Sequence, residues 1–370
     1  MRLICLLLLW AVAAIQVCLA DNKVSCKDEQ GHDVDWWYIY KLPKHFSDRP
    51  HGQDVSGLRY LYVTSTSYDN WHLSGRRISD ANSMPAQTLK PLYADEHRVL
   101  LAAYNDQFPN GTVASKGGHT KGVVATDGVT GMWLVHSVPR YPTVPDYSYP
   151  TTGEQYGQSL LCITIDTESV EKVGEVLVFN EPHFYYERNP LLKISELFPS
   201  LERALKRQWR TESPYQKEVE LRTLDGKQFR IFGKSPRANV ELYSDIVAPA
   251  LGVNLFVEAW RDGAGNLPDS CDKPYQIYNV EDIDNPEFAV DFKTTADHSK
   301  WAVSEETGFK LHRWRIGGGD WICIGDINRQ QEQHNRGGGT VCHKSSRVSD
   351  IYRKLVTKYE KCNHNSHDAA

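Results

Sequence analysis

Apolar and polar residues alternate along this chain in short runs, and most of the runs read as strands. Residues 35–43, Asp35-Trp36-Trp37-Tyr38-Ile39-Tyr40-Lys41-Leu42-Pro43, form one strand closed by its proline, and residues 58–64 form another. Residues 97–104 hold the continuous apolar stretch Val99-Leu100-Leu101-Ala102-Ala103, as expected of a buried strand. Residues 122–126, a turn at Asp127-Gly128 and residues 132–138 carry the punctuation of a hairpin, and residues 160–165 add a further buried strand. Helical spacing follows at residues 169–177 and 194–209, and again at residues 348–359.

The second half repeats this order. Residues 219–223, a turn at Asp225-Gly226 and residues 229–232 predict a hairpin; residues 242–248 predict a short helix ended by Pro249; residues 254–260 predict a strand. Strands interleaved with helices predict an α/β class of mixed α and β layers. The polar stretch at about 181–193, with Pro182 and Pro190, divides the chain best, giving halves at 21–185 and 186–370.

Two segments match across these halves. His119-Thr120-Lys121 lies in the first and His298-Ser299-Lys300 in the second. Each leads to a β-like run opened by tryptophan, at Trp133 and at Trp321. One H-x-K arises easily by chance; two at corresponding places predict a duplicated unit that brings both pairs to one site. On an extended chain His and Lys two apart share a face. Two imidazoles and two ammoniums are enough to cleave a phosphodiester. One neutral ring attacks phosphorus, the other as imidazolium protonates the leaving oxygen, and the lysines hold the non-bridging oxygens. Glu305 and Asp127 are the expected carboxylate braces of the ring nitrogens. His136 shares a strand face with Leu134 and Val138, and reads equally as a core or a catalytic histidine. Arg329, Arg336 and Gly337–Gly339 are candidates to approach phosphates, while Trp301 and Trp321 read as core. No carboxylate cluster or close Cys/His cluster has metal-ligand spacing, so neither metal nor cofactor is expected.

Composition sets the setting. The formal net charge is −5 at pH 7, unhelpful for holding a polyanion. The 14 histidines change that in acid: near pH 5 the charge without Arg2 swings from −6 to roughly +8. Met1-Arg2, an apolar run from Leu3 to about Ala14 and Cys18-Leu19-Ala20 predict a secretory leader over residues 1–20. Six of the eight cysteines lie beyond it: Cys26, Cys162, Cys271, Cys323, Cys342 and Cys362. In an oxidising route they predict disulfides. Asn110-Gly111-Thr112 is a glycosylation sequon, and no later run is long and apolar enough to span a membrane.

The chain resembles the deoxyribonuclease II family over nearly all its length beyond the leader. The resemblance is carried by Tyr104-Asn105-Asp106-Gln107, Gly118-His119-Thr120-Lys121-Gly122, Trp133-Leu134-Val135-His136-Ser137-Val138-Pro139 and Tyr156-Gly157-Gln158-Ser159. Asp297-His298-Ser299-Lys300-Trp301 and Cys323-Ile324-Gly325-Asp326-Ile327-Asn328-Arg329 carry it in the second half. It implies a phospholipase D-like fold of two pseudo-symmetric halves, each a central sheet flanked by helices. It further implies a metal-independent acid endonuclease that cuts double-stranded DNA to 3′-phosphate and 5′-hydroxyl ends, usually lysosomal, degrading DNA of engulfed or dead cells. Lysosomal retention and secretion stay open, as do monomer and homodimer. The family pairing would be Cys26–Cys162, Cys271–Cys362 and Cys323–Cys342. The superfamily pattern H-x-K-x4-[DE] with a later G-x-x-N falls on Glu305, Gly325 and Asn328 in the second copy, whereas Thr126 stands at the acidic position of the first. Either histidine could attack; the reading favours His119 as nucleophile and His298 as acid and base. A secreted, non-catalytic DNA-binding glycoprotein and a phosphodiesterase for another substrate are the alternatives.

Overall fold

The computed structural model describes residues 23–45, 55–94, 98–189, 194–306, 309–311, 314–316 and 319–362. The leader at 1–20, His97 and residues 190–193 of the inter-half segment lie outside the described residues.

Two large sheets dominate the described residues, beside two short two-stranded ones. The first contains Trp36–Lys41 (β1), Tyr60–Thr64 (β2), Ser67–Leu73 (β3), Leu100–Tyr104 (β4), Gly122–Thr126 (β5), Thr130–His136 (β6), Gln158–Asp166 (β7) and Phe184–Arg188 (β8), in the order β8-β4-β5-β6-β7-β1-β2-β3. The second contains Gln216–Arg222 (β9), Gln228–Lys234 (β10), Leu255–Glu258 (β11), Ile277–Asn285 (β12), Val290–Lys293 (β13), Trp301–Ser304 (β14), Trp321–Gly325 (β15), Gly338–Lys344 (β16) and Val356–Tyr359 (β17). Its order is β9-β10-β16-β15-β14-β11-β12-β13, with β17 also on β12. The run β4-β5-β6-β7-β1 is matched by β11-β14-β15-β16-β10, all antiparallel. A helix follows each fourth strand of the run: Thr167–Asn180 (α1) after β7 and Ser346–Arg353 (α2) after β16. Only β11 and β12 among neighbours in the two sheets run parallel. The alternation of strands and helices therefore marks layers, not crossovers between parallel strands.

Period-two alternation explains how one strand serves two cores. Trp36, Tyr38 and Tyr40 of β1 point into an interior shared by both sheets, with Trp301, Ile322 and Tyr352 of the second half. Trp37 and Ile39 point the other way, into a core that belongs to the first half alone. The shared interior also takes Val170, Val173, Val176 and Leu177 of α1 and Val348, Ile351 and Tyr352 of α2. Both helices thus lie on apolar surface that neither half closes alone.

Several predicted elements need correction. The helix expected over 194–209 is two short ones, Ile194–Leu197 and Pro199–Leu205, because Pro199 opens a new first turn. That expected over 348–359 stops at Arg353, and the β-branched Val356-Thr357 run forms β17. Pro249 does not end its helix: a wide π turn over Tyr243–Val247 continues into Ala248–Leu251. Strand β8 pairs with β4, so a boundary at 185/186 would cut a strand of the first sheet. Disulfides join Cys26–Cys162, Cys271–Cys362 and Cys323–Cys342. No helix among the described residues is long and apolar enough to cross a membrane.

Candidate active site

Neither H-x-K segment is inside a strand; each is the extended approach to one, to β5 or to β14. What holds each segment is the opposite half. Gly118 forms a parallel bridge with Gly337 at the entrance to β16, and Asp297 forms one with Gly157 at the entrance to β7. The His119 N–H donates to the Gly337 carbonyl at 2.7 Å, and the His298 N–H donates to the Gly157 carbonyl at 2.9 Å. Both bracing positions demand glycine. A Cβ on Gly157 would stand 2.3 Å from Asp297 Oδ1, and one on Gly337 would stand 2.3 Å from the Asn180 carbonyl. Folding the halves together is therefore what assembles the site.

Three of the four basic groups, His119, Lys121 and Lys300, are buried, and His298 is half-buried. His119 is 6 % exposed, and Lys121 and Lys300 are 1 % exposed. His119 Nδ1 lies 2.7 Å from Gln333 Oε1 of the other half. With that oxygen accepting, Nδ1 carries the proton and Nε2 keeps its lone pair. Nε2 is 3.7 Å from Asp106 Oδ2, and Asp106 also pairs with Lys121 and with Arg336. His298 Nδ1 faces the Ser137 carbonyl at 3.1 Å and Gln158 Oε1 at 3.3 Å, again from the other half. Lys300 Nζ is 3.2 Å from that same Nδ1 and donates to the His298 carbonyl at 2.6 Å. The ring of Trp260 stands 5.0 Å from that of His298, and Tyr156 stands 4.5 Å from Trp260.

Burial, and after it the Lys121 ammonium, hold His119 well below the ordinary imidazole range, with Asp106 opposing. Burial and then Lys300, Lys121 and His119 do the same to His298. Lys300 is itself pushed well down by burial and by Lys121. Burial alone would raise Asp106, but Lys121, His119 and Arg336 outweigh it and hold the carboxyl below the usual range. Charges from both halves are thus within reach of one another.

Other candidates fall elsewhere. Glu305 sits past the far end of β14, where it accepts from Asn254 Nδ2 at 2.9 Å; five residues of extended chain put it about 16 Å from Lys300. Thr126 has the same place at the end of β5, and bonds to the Thr130 carbonyl at 2.7 Å. Asp127 closes the hairpin turn, accepting the N–H groups of Val129 and Thr130. These acidic positions are strand ends, not ring braces. His136, by contrast, adjoins the site: it is fully buried against Tyr141, and its N–H donates to the Lys121 carbonyl at 3.2 Å. Its Nδ1 accepts the Val138 N–H at 3.1 Å, and burial, then Lys121, depress it to about 3. Asn328 is buried in the turn after β15, with no described hydrogen bond to either His–Lys pair. Arg329 is committed to Asn279 and Ser270. The Gly337 and Gly339 amides are taken by Gly117 and Asp326, so the glycine run braces the site and offers no free phosphate cradle there. Trp301 is core, and Trp321 packs beside Arg230 and Lys344 near the surface. Asn110 is exposed on a turn.

Gln333 and Trp260 carried no signal in the sequence, and Ser137 and Gln158 stood in family-like segments without a role, since each reaches its histidine from a distant segment. Asp106 was visible inside a family-like segment but carried no spacing signal. Among the described residues, one group brings three metal-type donors together, Asp269, Cys271 and Cys362, and both of its sulfurs are in a disulfide.

Two imidazoles and two ammoniums, one His–Lys pair from each half, are thus braced by reciprocal contacts between the halves. The deoxyribonuclease II family model matches residues 25–362, and the chain belongs to that family. It is 35 % identical to plancitoxin-1 of Acanthaster planci over 92 % of both chains. It is 33 % identical to deoxyribonuclease-2-alpha of Mus musculus, over 92 % of this chain and 94 % of that one. Against cell-death-related nuclease 7 of Caenorhabditis elegans it is 31 % identical, over 94 % and 90 %. The protein is a deoxyribonuclease II-type nuclease, a hydrolase of phosphodiester bonds.

Proposed function

We propose that this nuclease is a metal-independent acid endonuclease of double-stranded DNA that works through a phosphohistidine. The observation that carries the reading is the reciprocal bracing of the two H-x-K segments, Gly118 on Gly337 and Asp297 on Gly157. One neutral imidazole attacks phosphorus through Nε2 as the P–O5′ bond breaks. The other, as imidazolium, gives its proton to the departing 5′ oxygen. It then takes a proton from water, which attacks the phosphohistidine, releases a 3′-phosphate and restores the first ring. Lys121 and Lys300 hold the non-bridging oxygens.

The acid preference has two sides: the imidazolium acid is lost as pH rises, while the nucleophile has to stay neutral as pH falls. An ordinary imidazole near 6.5 is mostly charged at pH 5 and cannot attack. Burial and neighbouring ammoniums favour the neutral ring, so a nucleophile persists in acid. A phospholipase D-like ancestry, one half on each side of the 181–193 segment, fits the matched strand orders. We further propose action in lysosomes or after secretion, on the DNA of dead or engulfed cells, following the leader-like start, the disulfides and the sequon.

Plasmid nicking at about pH 5 and about pH 7.5 with excess EDTA, beside His119→Ala and His298→Ala, tests the mechanism. Acid cutting that ignores EDTA and drops at least about a thousandfold in each variant is expected. Metal-dependent cutting, or a variant within tenfold of the parent, sinks it.

A further inference from the structure

Among the tryptophans whose side chains are described, all but Trp260 have a packing role. Trp36, Trp37, Trp71, Trp133 and Trp301 are in the cores, and Trp209 and Trp321 pack against them. Trp260 and Tyr156 are different. Both are half-exposed, and neither belongs to any core or packs against one. They form an edge-to-face pair, 4.5 Å between centroids at 86°, and Trp260 stands 5.0 Å from His298 at 68°.

The two rings are held from behind. Trp260 leaves the end of β11, and the segment after it is fastened by Asn266 Nδ2 to the Arg261 carbonyl at 2.8 Å and by Gln330 Nε2 to Asn266 Oδ1 at 3.1 Å. Tyr156 directly precedes Gly157, the residue that accepts the His298 N–H, and its own carbonyl accepts from Lys41 Nζ. Matching β4-β5 to β11-β14 puts Trp260 at the position of Asp106: Tyr104 pairs with Gly122 as Glu258 pairs with Trp301, and each residue lies two further on. Beside His119 that position holds a carboxylate; beside His298 it holds an indole.

We propose that Trp260 and Tyr156 form a subsite for the nucleobase of the nucleotide next to the scissile phosphate, on the His298 side of the site. The proposal rests on the two-histidine reading above, which puts the phosphate at His298. The indole stands 5.0 Å from the His298 ring, within the span of a nucleoside joined to a phosphate held there. Stacking on aromatic faces accepts every base, which suits a nuclease that must degrade any sequence. In a duplex the base has to leave its stack to reach the ring, and that costs least at a mismatch or a frayed end.

A two-by-two comparison tests this at about pH 5: parent and Trp260→Ala, each on an oligonucleotide duplex with one preferred cleavage position and on the same duplex with an abasic nucleotide beside it. Removing the ring or the base alone should each lower kcat/KM by about tenfold, and removing both should cost no more than either one. Trp260→Phe, which keeps a π face, should recover most of the loss on the intact substrate. Losses that multiply, or an equal loss in Trp260→Ala on both substrates, mean that the ring only supports His298 and overturn the subsite. If the parent itself cuts neither substrate in EDTA, it is the two-histidine reading that fails, and the subsite falls with it.

Discussion

The two half-sites are built on one plan and finished differently. Both place a histidine and a lysine just before a strand, and both anchor the imidazole Nδ1 on the opposite half. Even the second layer is repeated: the Ser159 N–H donates to Ser137 Oγ at 2.9 Å as the Gly339 N–H donates to Asp326 Oδ1 at 2.8 Å. The first half, however, supplies its own counter-charge, Asp106, to Lys121 and His119. Among the described residues Lys300 has no ion pair; it donates to the carbonyl of His298 and sits against that ring. Matching strand runs thus supply the geometry, and single residues at equivalent positions make the two histidines electrostatically unequal. A reaction that needs one neutral and one charged imidazole uses such inequality.

The largest departures from symmetry to probe are covalent. Cys162 and Cys342 occupy equivalent strand positions, opposite Leu134 and Cys323 respectively. Cys342 therefore bonds its cross-strand neighbour, while Cys162 reaches Cys26, 136 residues away. Replacing both cysteines by serine should lower the unfolding free energy by about 5 kcal/mol for the long loop and about 3 kcal/mol for the short one. Urea unfolding that shows equal losses breaks the loop-length argument.

Next comes the counter-charge. Asp106→Asn should reduce kcat about a hundredfold. Since the carboxylate favours the protonated form of His119, its removal should also move the limb of the pH profile that reports His119 to lower pH. A uniform loss with an unmoved profile would show that Asp106 only packs.

A smaller asymmetry lies in the shared core, where the place of Ile163 in β7 is taken by His343 in β16. That ring stacks on Phe229 at 4.4 Å, and burial, then Lys227, hold it at about 3. The folded state favours the neutral ring, so the unfolded chain takes up the proton first as pH falls below about 6.5, and stability is lost down to about 3. At pH 5 this amounts to about 2 kcal/mol. His343→Ile, which copies the first half, should lose that much less stability between pH 7 and pH 5 in urea titrations; equal losses in parent and variant would refute it. The smallest effect expected is from Gln333→Ala, which frees His119 Nδ1: about a tenfold fall in kcat with KM little changed. If KM rises alone, Gln333 serves substrate binding instead.

Local chemistry made much of this protein legible from sequence. Alternation over 35–43 and the turns at Asp127-Gly128 and Asp225-Gly226 specify strands and hairpins, because strand faces and turn conformations depend on neighbours along the chain. The repeated H-x-K marked the approaches to two strands at matching places in two similar strand runs, and long shared segments announced the family. Helix ends were less legible, since Pro199 and the Val356-Thr357 run changed structure within one apolar pattern. Glu305 and Asp127 carried the right charge at plausible spacing, yet the length of one extended strand, about 16 Å for Glu305, separates each from its lysine. Which groups surround each histidine was decided by tertiary structure alone. Gln333 lies 214 residues from His119, and Ser137 lies 161 from His298. These contacts exist only because the entrance of a strand in one half pairs with the active segment of the other. No local pattern encodes that pairing, and the unequal environments of the two imidazoles come from it.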